Sequence, residues 1–211
     1  HELPEIFQRV RTPIVGITAS HATITLRVQV TATTEEECLA LAQPTLTEIS
    51  DKLGDVVFAN HDIELGARVC QLLFQNGESV ATWECGTQGQ LADMLHAPLY
   101  PVLISSRFNL ATNEFPFPRD TPADKLASLA TDFQTMTNAT YAIVVGPIRY
   151  PKQSETTVPQ FDVVIAYKNG SDVQTYDFTG HPDILLTKAA KQAINQLRLH
   201  MKKPRSATTS C

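Results

Sequence analysis

The feature that most constrains this chain is a short apolar run that leads through a polar, glycine-bearing turn into a helical pattern. Val80 to Trp83 predict a buried strand, and Leu91, Met94 and Leu95 follow the turn at helical spacing. A strand, a turn and a helix in this order leave the first N–H groups of the helix unpaired, which predicts a site for a phosphate, a carboxylate or an oxyanion. The spacing equally fits an ordinary turn that binds no ligand.

The polar residues at the end of this strand are the first candidates for chemistry. Glu84 and Cys85 lie where an α/β fold places its working residues. A thiol beside a helix N-terminus is favoured as a thiolate, but it still needs a base or a cationic neighbour. His96 is the nearest histidine, and about ten helical residues place it ~15 Å away. His61 and His181 reach the turn only if the tertiary structure brings them there.

Composition limits the class of protein. The chain has 211 residues, 43% hydrophobic and 18% charged, which is typical of one or two soluble domains. A net charge of -5 argues against a general nucleic-acid binder, and no apolar run approaches the ~18 residues of a membrane span. No C-x-x-C pair occurs, so neither a zinc site nor a thioredoxin-type motif is predicted, and reduced thiols are typical of a cytoplasmic protein. We expect no metal ion and no cofactor. The four cysteines are Cys38, Cys70, Cys85 and Cys211.

Residues 1–59 predict a small α+β domain. Alternating apolar residues over 24–30 predict a half-buried strand, and Thr34 followed by three glutamates predicts a helix N-cap. We expect Pro44 to kink or split this helix, and Val56 to Phe58 to add a strand. The predicted core stripe of the helix consists of Leu39, Ala42, Leu46, Ile49 and Leu53.

Residues 60–203 predict a larger three-layer α/β domain around a mostly parallel sheet, with the boundary near Asn60. Tyr100 to Ser105 form a continuous apolar run that predicts another buried strand. Asn169-Gly170 between two apolar segments predicts a hairpin with a type I′ turn. Residues 204–211 predict a disordered tail.

The segment Ala81-Thr82-Trp83-Glu84-Cys85-Gly86-Thr87-Gln88-Gly89 resembles the A-x-A-E-S-C-T-G-G segment of the CinA family, the competence/damage-inducible protein A group. Val145-Gly146-Pro147 is similar to the end of the family's T-G-I-A-G-P, and residues 1–59 resemble its small middle domain. The resemblance implies nicotinamide mononucleotide amidohydrolase chemistry and a homodimer. It implies a ligand contacting Glu84, Thr87, Gly89 and Gly146. Because the chain begins with His1, the resemblance also implies a missing N-terminal domain.

The chain departs from the family at the residues to which the chemistry is ascribed. Cys85 stands in place of the serine, and neither a Y-S-N sequence at Ile104 to Asn109 nor any lysine between Lys52 and Lys125 is present. Arg107 is able to bind a phosphate bidentately but not to act as a base. Three functions follow: a degraded site with a binding or assembly role, an active amidohydrolase using Cys85, or a purely structural dimerisation module. The missing lysine and tyrosine favour the first.

Overall fold

The computed structural model describes residues 6–8, 11–109, 121–150 and 158–203. The chain divides into an N-terminal unit, His1–Asp62, and a C-terminal unit, Ile63–Cys211. The predicted tail, residues 204–211, lies outside the described residues.

The N-terminal unit is a β-hairpin followed by one long helix. Strands β1 (Ile14–Ser20) and β2 (Thr23–Gln29) pair antiparallel, as the alternating pattern predicts. The two residues between them, His21 and Ala22, have φ values of 47° and 59°, the positive pair that a type I′ turn requires. Helix α1 (Glu35–Leu53) begins at a capping box, in which the Thr34 side chain accepts from the Glu37 N–H and the Glu37 side chain accepts from the Thr34 N–H.

Three predictions about this unit are wrong. Helix α1 runs through Pro44 as one element, so the predicted split is wrong, while a kink at Pro44 stays a prediction. Leu39 and Leu46 are 62% and 39% exposed, because the buried side of α1 is centred on Ala42, Thr45 and Ile49 and the two-stranded hairpin is too narrow to cover a wider stripe. The predicted strand at 56–58 is instead a 3₁₀ helix, Gly54–Val56, followed by irregular backbone, since no described strand pairs with it.

The C-terminal unit is built on a five-stranded sheet. Its order is β4 (Leu103–Phe108), β3 (Val80–Glu84), β5 (Tyr141–Val145), β6 (Gln160–Tyr167) and β7 (Gly170–Asp177). Strands β4, β3 and β5 are mutually parallel, and β6 is antiparallel to both of its neighbours. Four of the five strands therefore point the same way, and the carboxyl ends of β3, β4 and β5 share one edge.

Helices cover both faces of this sheet, as the predicted three layers require. Helix α4 (Ala123–Thr137) packs on one face. Helices α2 (Leu65–Gln75), α3 (Gln90–Leu95) and α5 (Leu185–Lys202) pack together on the other. Strands β3 and β5 lie inside the sheet. They are buried because their successive side chains point to opposite faces and each face is covered by helices.

Two local predictions about the C-terminal unit are wrong. The apolar run at 100–105 does not form a buried strand: β4 begins at Leu103, lies at the edge of the sheet and is mostly exposed. The β6–β7 hairpin forms where predicted, but neither Lys168 nor Asn169 has a positive φ, so its turn is not type I′.

The boundary near Asn60 stays a prediction that limited proteolysis tests. We expect early cleavage between residues 58 and 64, since the chain there is exposed or half-exposed and has no regular structure, to leave a resistant fragment that begins near Ile63. Mass spectrometry of the fragments identifies the cut. A single core that resists cleavage throughout this segment would contradict separate domains.

Candidate functional site

The strand, turn and helix predicted from residues 79–92 are present, and they form the centre of the candidate site. Strand β3 ends at Glu84, residues 85–89 form the turn, and α3 begins at Gln90. The side chains of Glu84 and Thr87 are fully buried. The turn is therefore a packed part of the protein rather than an open loop.

The Glu84 side chain satisfies the N-terminal donors of α3. Its Oε2 accepts hydrogen bonds from the Thr87 hydroxyl at 2.5 Å and from the N–H groups of Gly89 and Leu91 at 3.0 Å, and its Oε1 accepts from the N–H of Ala92 at 2.9 Å. Unpaired donors were expected here for a phosphate or an oxyanion. That expectation is wrong for these three N–H groups, because the chain supplies its own carboxyl group.

Gln88 and Gly89 give the turn its shape. Both have positive φ, 54° for Gln88 and 91° for Gly89, a conformation that disfavours side chains with a Cβ atom. The resembled family has glycine at both places. Gln88 therefore carries backbone strain that a glycine there would not.

We expect Gln88→Gly to raise the free energy of unfolding by about 0.5–1 kcal/mol, since relief of the left-handed conformation exceeds the added freedom of the unfolded chain. Urea denaturation measures the change. The matched control is Gln75→Gly at an exposed position of helix α2, which should lower stability by up to about 1 kcal/mol. Equal losses in both variants would show that residue 88 is not strained.

Cys85 lies in the apolar core rather than at a reactive surface. It is 2% exposed and packs with the residues between the sheet and α4, among them Leu126 and Phe133. Burial raises the pKa of its thiol to about 11. A thiol in such surroundings is protonated at neutral pH, so the predicted thiolate is not favoured by this environment.

Gly86 brings the turn against the loop that follows β5. A Cβ atom at residue 86 would lie 2.5 Å from the carbonyl oxygen of Gly146, and one at Gly146 would lie 2.8 Å from the Leu126 side chain. Close packing against backbone therefore requires glycine at residue 86, whereas at residue 146 the end of the Leu126 side chain is able to shift. The cysteine that the resembled family has at residue 86 does not fit against Gly146 unless the loops separate.

A buried ion pair beside Gly146 was not predicted from the sequence. Asp162, 1% exposed, accepts hydrogen bonds from Arg149 at 2.5 Å and from the Thr175 hydroxyl at 2.6 Å, while its backbone carbonyl accepts from the Gly146 N–H. Burial raises the pKa of the Asp162 carboxyl, but the hydrogen bonds from Arg149 and Thr175 outweigh it and hold this pKa below its usual value. No spacing rule links residues from two strands and a loop, so only the folded chain reveals the group.

Trp83 and Arg107 lie side by side on β3 and β4. The Arg107 guanidinium carbon lies 5.6 Å from the Trp83 ring centroid and 5.4 Å from that of Phe133, a cation–π arrangement. The Trp83 indole N–H donates to the Asn109 side chain at 2.7 Å. Trp83 thus packs in the structure, as expected for the end of an apolar strand, and Arg107 is held by two rings.

The three histidines considered as bases, His61, His96 and His181, are exposed, and none contacts Cys85 through a hydrogen bond in the described residues. Within the described ranges, no group of three or more histidine, cysteine or acidic side chains is arranged to bind a metal ion. In the same part of the chain, no helix has the length and apolar character needed to span a membrane. The site thus consists of a buried carboxyl group, a buried thiol and two close-packed glycines.

Comparison with known proteins agrees with this architecture. Residues 1–59 match the family model of the damage-inducible protein CinA KH domain. Two curated relatives are each described as a putative competence-damage inducible protein. The one from Clostridium beijerinckii is 31% identical over 94 residues, and the one from Clostridium novyi is 33% identical over 91 residues. These matches cover 44% and 43% of this chain but only 23% and 22% of the relatives.

Solved structures resemble the chain over about two thirds of its length. The competence or damage-inducible protein from Enterobacter asburiae aligns with a TM-score of 0.54 at 14% identity, covering 66% of this chain and 99% of that structure. The CinA superfamily protein from Escherichia coli aligns with a TM-score of 0.52 at 17% identity, covering 70% of this chain and 98% of that structure. At such identities the similarity shows a shared fold.

The three-layer α/β fold is that of the CinA superfamily structures. The chain is thus similar to the CinA family: residues 1–59 match its KH domain model, and two curated relatives are described as putative competence-damage inducible proteins. The fold is shared with its solved structures. The resemblance predicted from the sequence is confirmed.

Proposed function

We propose that this chain is a CinA-type protein whose amidohydrolase-like site is degraded and whose role is assembly rather than catalysis. The observation that carries the proposal is that the Glu84 side chain accepts hydrogen bonds from the N–H groups of Gly89, Leu91 and Ala92. Amide hydrolysis needs donors directed at the oxyanion. At this turn these three N–H groups are already used within the protein.

The state of Cys85 supports the same proposal. A nucleophile must reach its substrate and be activated by a base or a lowered pKa. Cys85 is 2% exposed, its thiol pKa is raised to about 11, and the candidate histidines lie on the surface. An active enzyme that uses Cys85 would need the turn to open and a base to approach.

The sequence of the KH-like unit, residues 1–59, argues against RNA binding. KH modules clamp nucleotides with a G-x-x-G loop. Residues 1–59 contain glycine only at positions 16 and 54, and the whole chain has a net charge of -5. Nucleic-acid binding is therefore not part of the proposed role of this unit.

We expect no ammonia release from nicotinamide mononucleotide above the rate of the Cys85→Ala variant. Loss of general acid–base help alone costs ~10²–10⁴-fold in rate. Cys85→Ser, which places the family's serine in the site, is the matched comparison and should be equally inactive because the donors and the base are still lacking. Robust turnover that disappears only in Cys85→Ala would overturn the proposal.

Calorimetric titration of the same mononucleotide tests the binding role. The family resemblance implies ligand contacts at Glu84, Thr87, Gly89 and Gly146, which this titration tests. We expect no heat of binding, because Glu84 accepts hydrogen bonds from three of the N–H groups that a phosphate at this turn would otherwise contact. Saturable binding that Gln88→Gly retains and Gly86→Ala abolishes would replace the assembly role with a binding role at this turn.

The proposed assembly is a homodimer. Light scattering at micromolar concentration distinguishes a dimer from a monomer, and a monomer at these concentrations would contradict an assembly role.

A further inference from the structure

The three methionines of the chain differ in their access to solvent. Met136, in the last turn of α4, is 56% exposed, whereas Met94 in α3 and Met201 in α5 are partly buried. An oxidant has to reach the thioether sulfur to convert it into a sulfoxide. Met136 is therefore the methionine that a dissolved peroxide reaches most readily.

The sulfur of Met136 lies beside a cation. Arg107 on β4 donates from its Nη2 to the Met136 Sδ at 3.7 Å. A thioether sulfur is only a weak acceptor. A sulfoxide adds to the same sulfur an oxygen with partial negative charge, and a hydrogen bond to that oxygen from a guanidinium is charge-assisted and stronger. Oxidation thus turns a weak contact between α4 and β4 into a strong one.

Arg107 also contacts the single tryptophan of the chain, Trp83. The guanidinium carbon lies 5.6 Å from the Trp83 ring centroid and 5.4 Å from that of Phe133, and the two rings lie 5.2 Å apart. Phe133 and Met136 are three residues apart on α4, so they are neighbours on one helix face. A change in what Met136 offers to Arg107 therefore alters the surroundings of Trp83, and the fluorescence of this one indole reports it.

We propose that Met136 is a reversible oxidation site, and that its sulfoxide holds Arg107 and shifts the guanidinium over the Trp83 ring. A lone pair of the sulfur attacks one oxygen of hydrogen peroxide, so that a sulfur–oxygen bond forms and the oxygen–oxygen bond breaks. The second oxygen leaves with both protons as water; the sulfur is oxidised and the peroxide is reduced. Methionine sulfoxide reductases, with a dithiol as the reductant, remove the oxygen as water and restore the thioether. This site does not depend on the proposed assembly role.

Peptide mapping tests which methionine is oxidised. When the folded full-length chain is treated with dilute hydrogen peroxide, mass spectrometry should show the sulfoxide of Met136 accumulating at least tenfold faster than those of Met94 and Met201. The same treatment in concentrated urea should bring the three rates together, because burial then no longer protects the other two. Oxidation of Met94 or Met201 in the folded chain as fast as that of Met136 would overturn the assignment.

The emission of Trp83 tests the contact with Arg107. Oxidation of the wild-type chain should shift this emission, and the reductases should reverse the shift, which separates it from damage to the indole itself. Met136→Leu should abolish the shift, and so should Arg107→Ala although Met136 is still oxidised. Met201→Leu is the matched control and should retain the shift; circular dichroism checks that all three variants fold. A wild-type chain without a shift, or a shift that persists in Met136→Leu or Arg107→Ala, would overturn the proposed contact.

Discussion

Replacing Glu84 by alanine will lower the free energy of unfolding of the C-terminal unit by about 3–5 kcal/mol, the largest effect expected of any single change at the site. The side chain is fully buried and accepts four hydrogen bonds from the turn and from the first residues of α3. Removing it leaves these donors without partners inside the protein, and each such donor costs about 1–3 kcal/mol, not additively. Urea denaturation monitored by circular dichroism measures the loss.

Two further variants separate hydrogen bonding from charge. Glu84→Gln keeps the shape but replaces one acceptor oxygen by a donor, so it should cost about 2–3 kcal/mol. Asp93→Asn removes a negative charge from the same helix at an exposed position and should change stability by less than about 0.5 kcal/mol. If Glu84→Gln proved as harmless as Asp93→Asn, Glu84 would not be what holds the turn, and the N–H groups of Gly89, Leu91 and Ala92 would be available to an oxyanion.

Gly86→Ala should lower the free energy of unfolding by about 3 kcal/mol, because overpacking against rigid backbone is costly. The added Cβ atom would lie 2.5 Å from the carbonyl oxygen of Gly146, and a backbone group cannot move aside as a side chain can. Since φ of Gly86 is not positive, the loss would be steric rather than conformational. Thermal and urea denaturation both measure it.

Gly180→Ala is the control for this prediction. A Cβ atom there would meet the far end of the Phe178 ring at 3.2 Å, and that ring is able to shift, so the change should cost less than about 1 kcal/mol. Losses of the same size at both positions would mean that the contact between Gly86 and Gly146 is not tight. A cysteine would then fit at residue 86 as well.

Local patterns were enough to predict the elements that depend on neighbouring residues. The strand before Glu84, the helix after Gly89 and the N-cap at Thr34 are all present, because periodic burial and capping act within a few residues. The family resemblance was also recognisable, since it rests on a contiguous segment. The predictions that failed concerned which residues are buried by distant parts of the chain. The strand at 100–105 was expected to be buried, and Leu39 was expected to face the core.

The sequence by itself determined that a strand, a turn and a helix meet at residues 84–90, because these elements follow from local periodicity and turn chemistry. Only the tertiary structure decided what that turn can do. The Glu84 side chain turns inward onto the start of α3, and α4 with the neighbouring strands encloses Cys85. Burial and hydrogen bonding depend on segments that lie far apart in the chain. If the same residues lay in an open turn, Cys85 would be accessible and the N–H groups would be free to bind a ligand. Here packing converts a candidate nucleophile into a core residue.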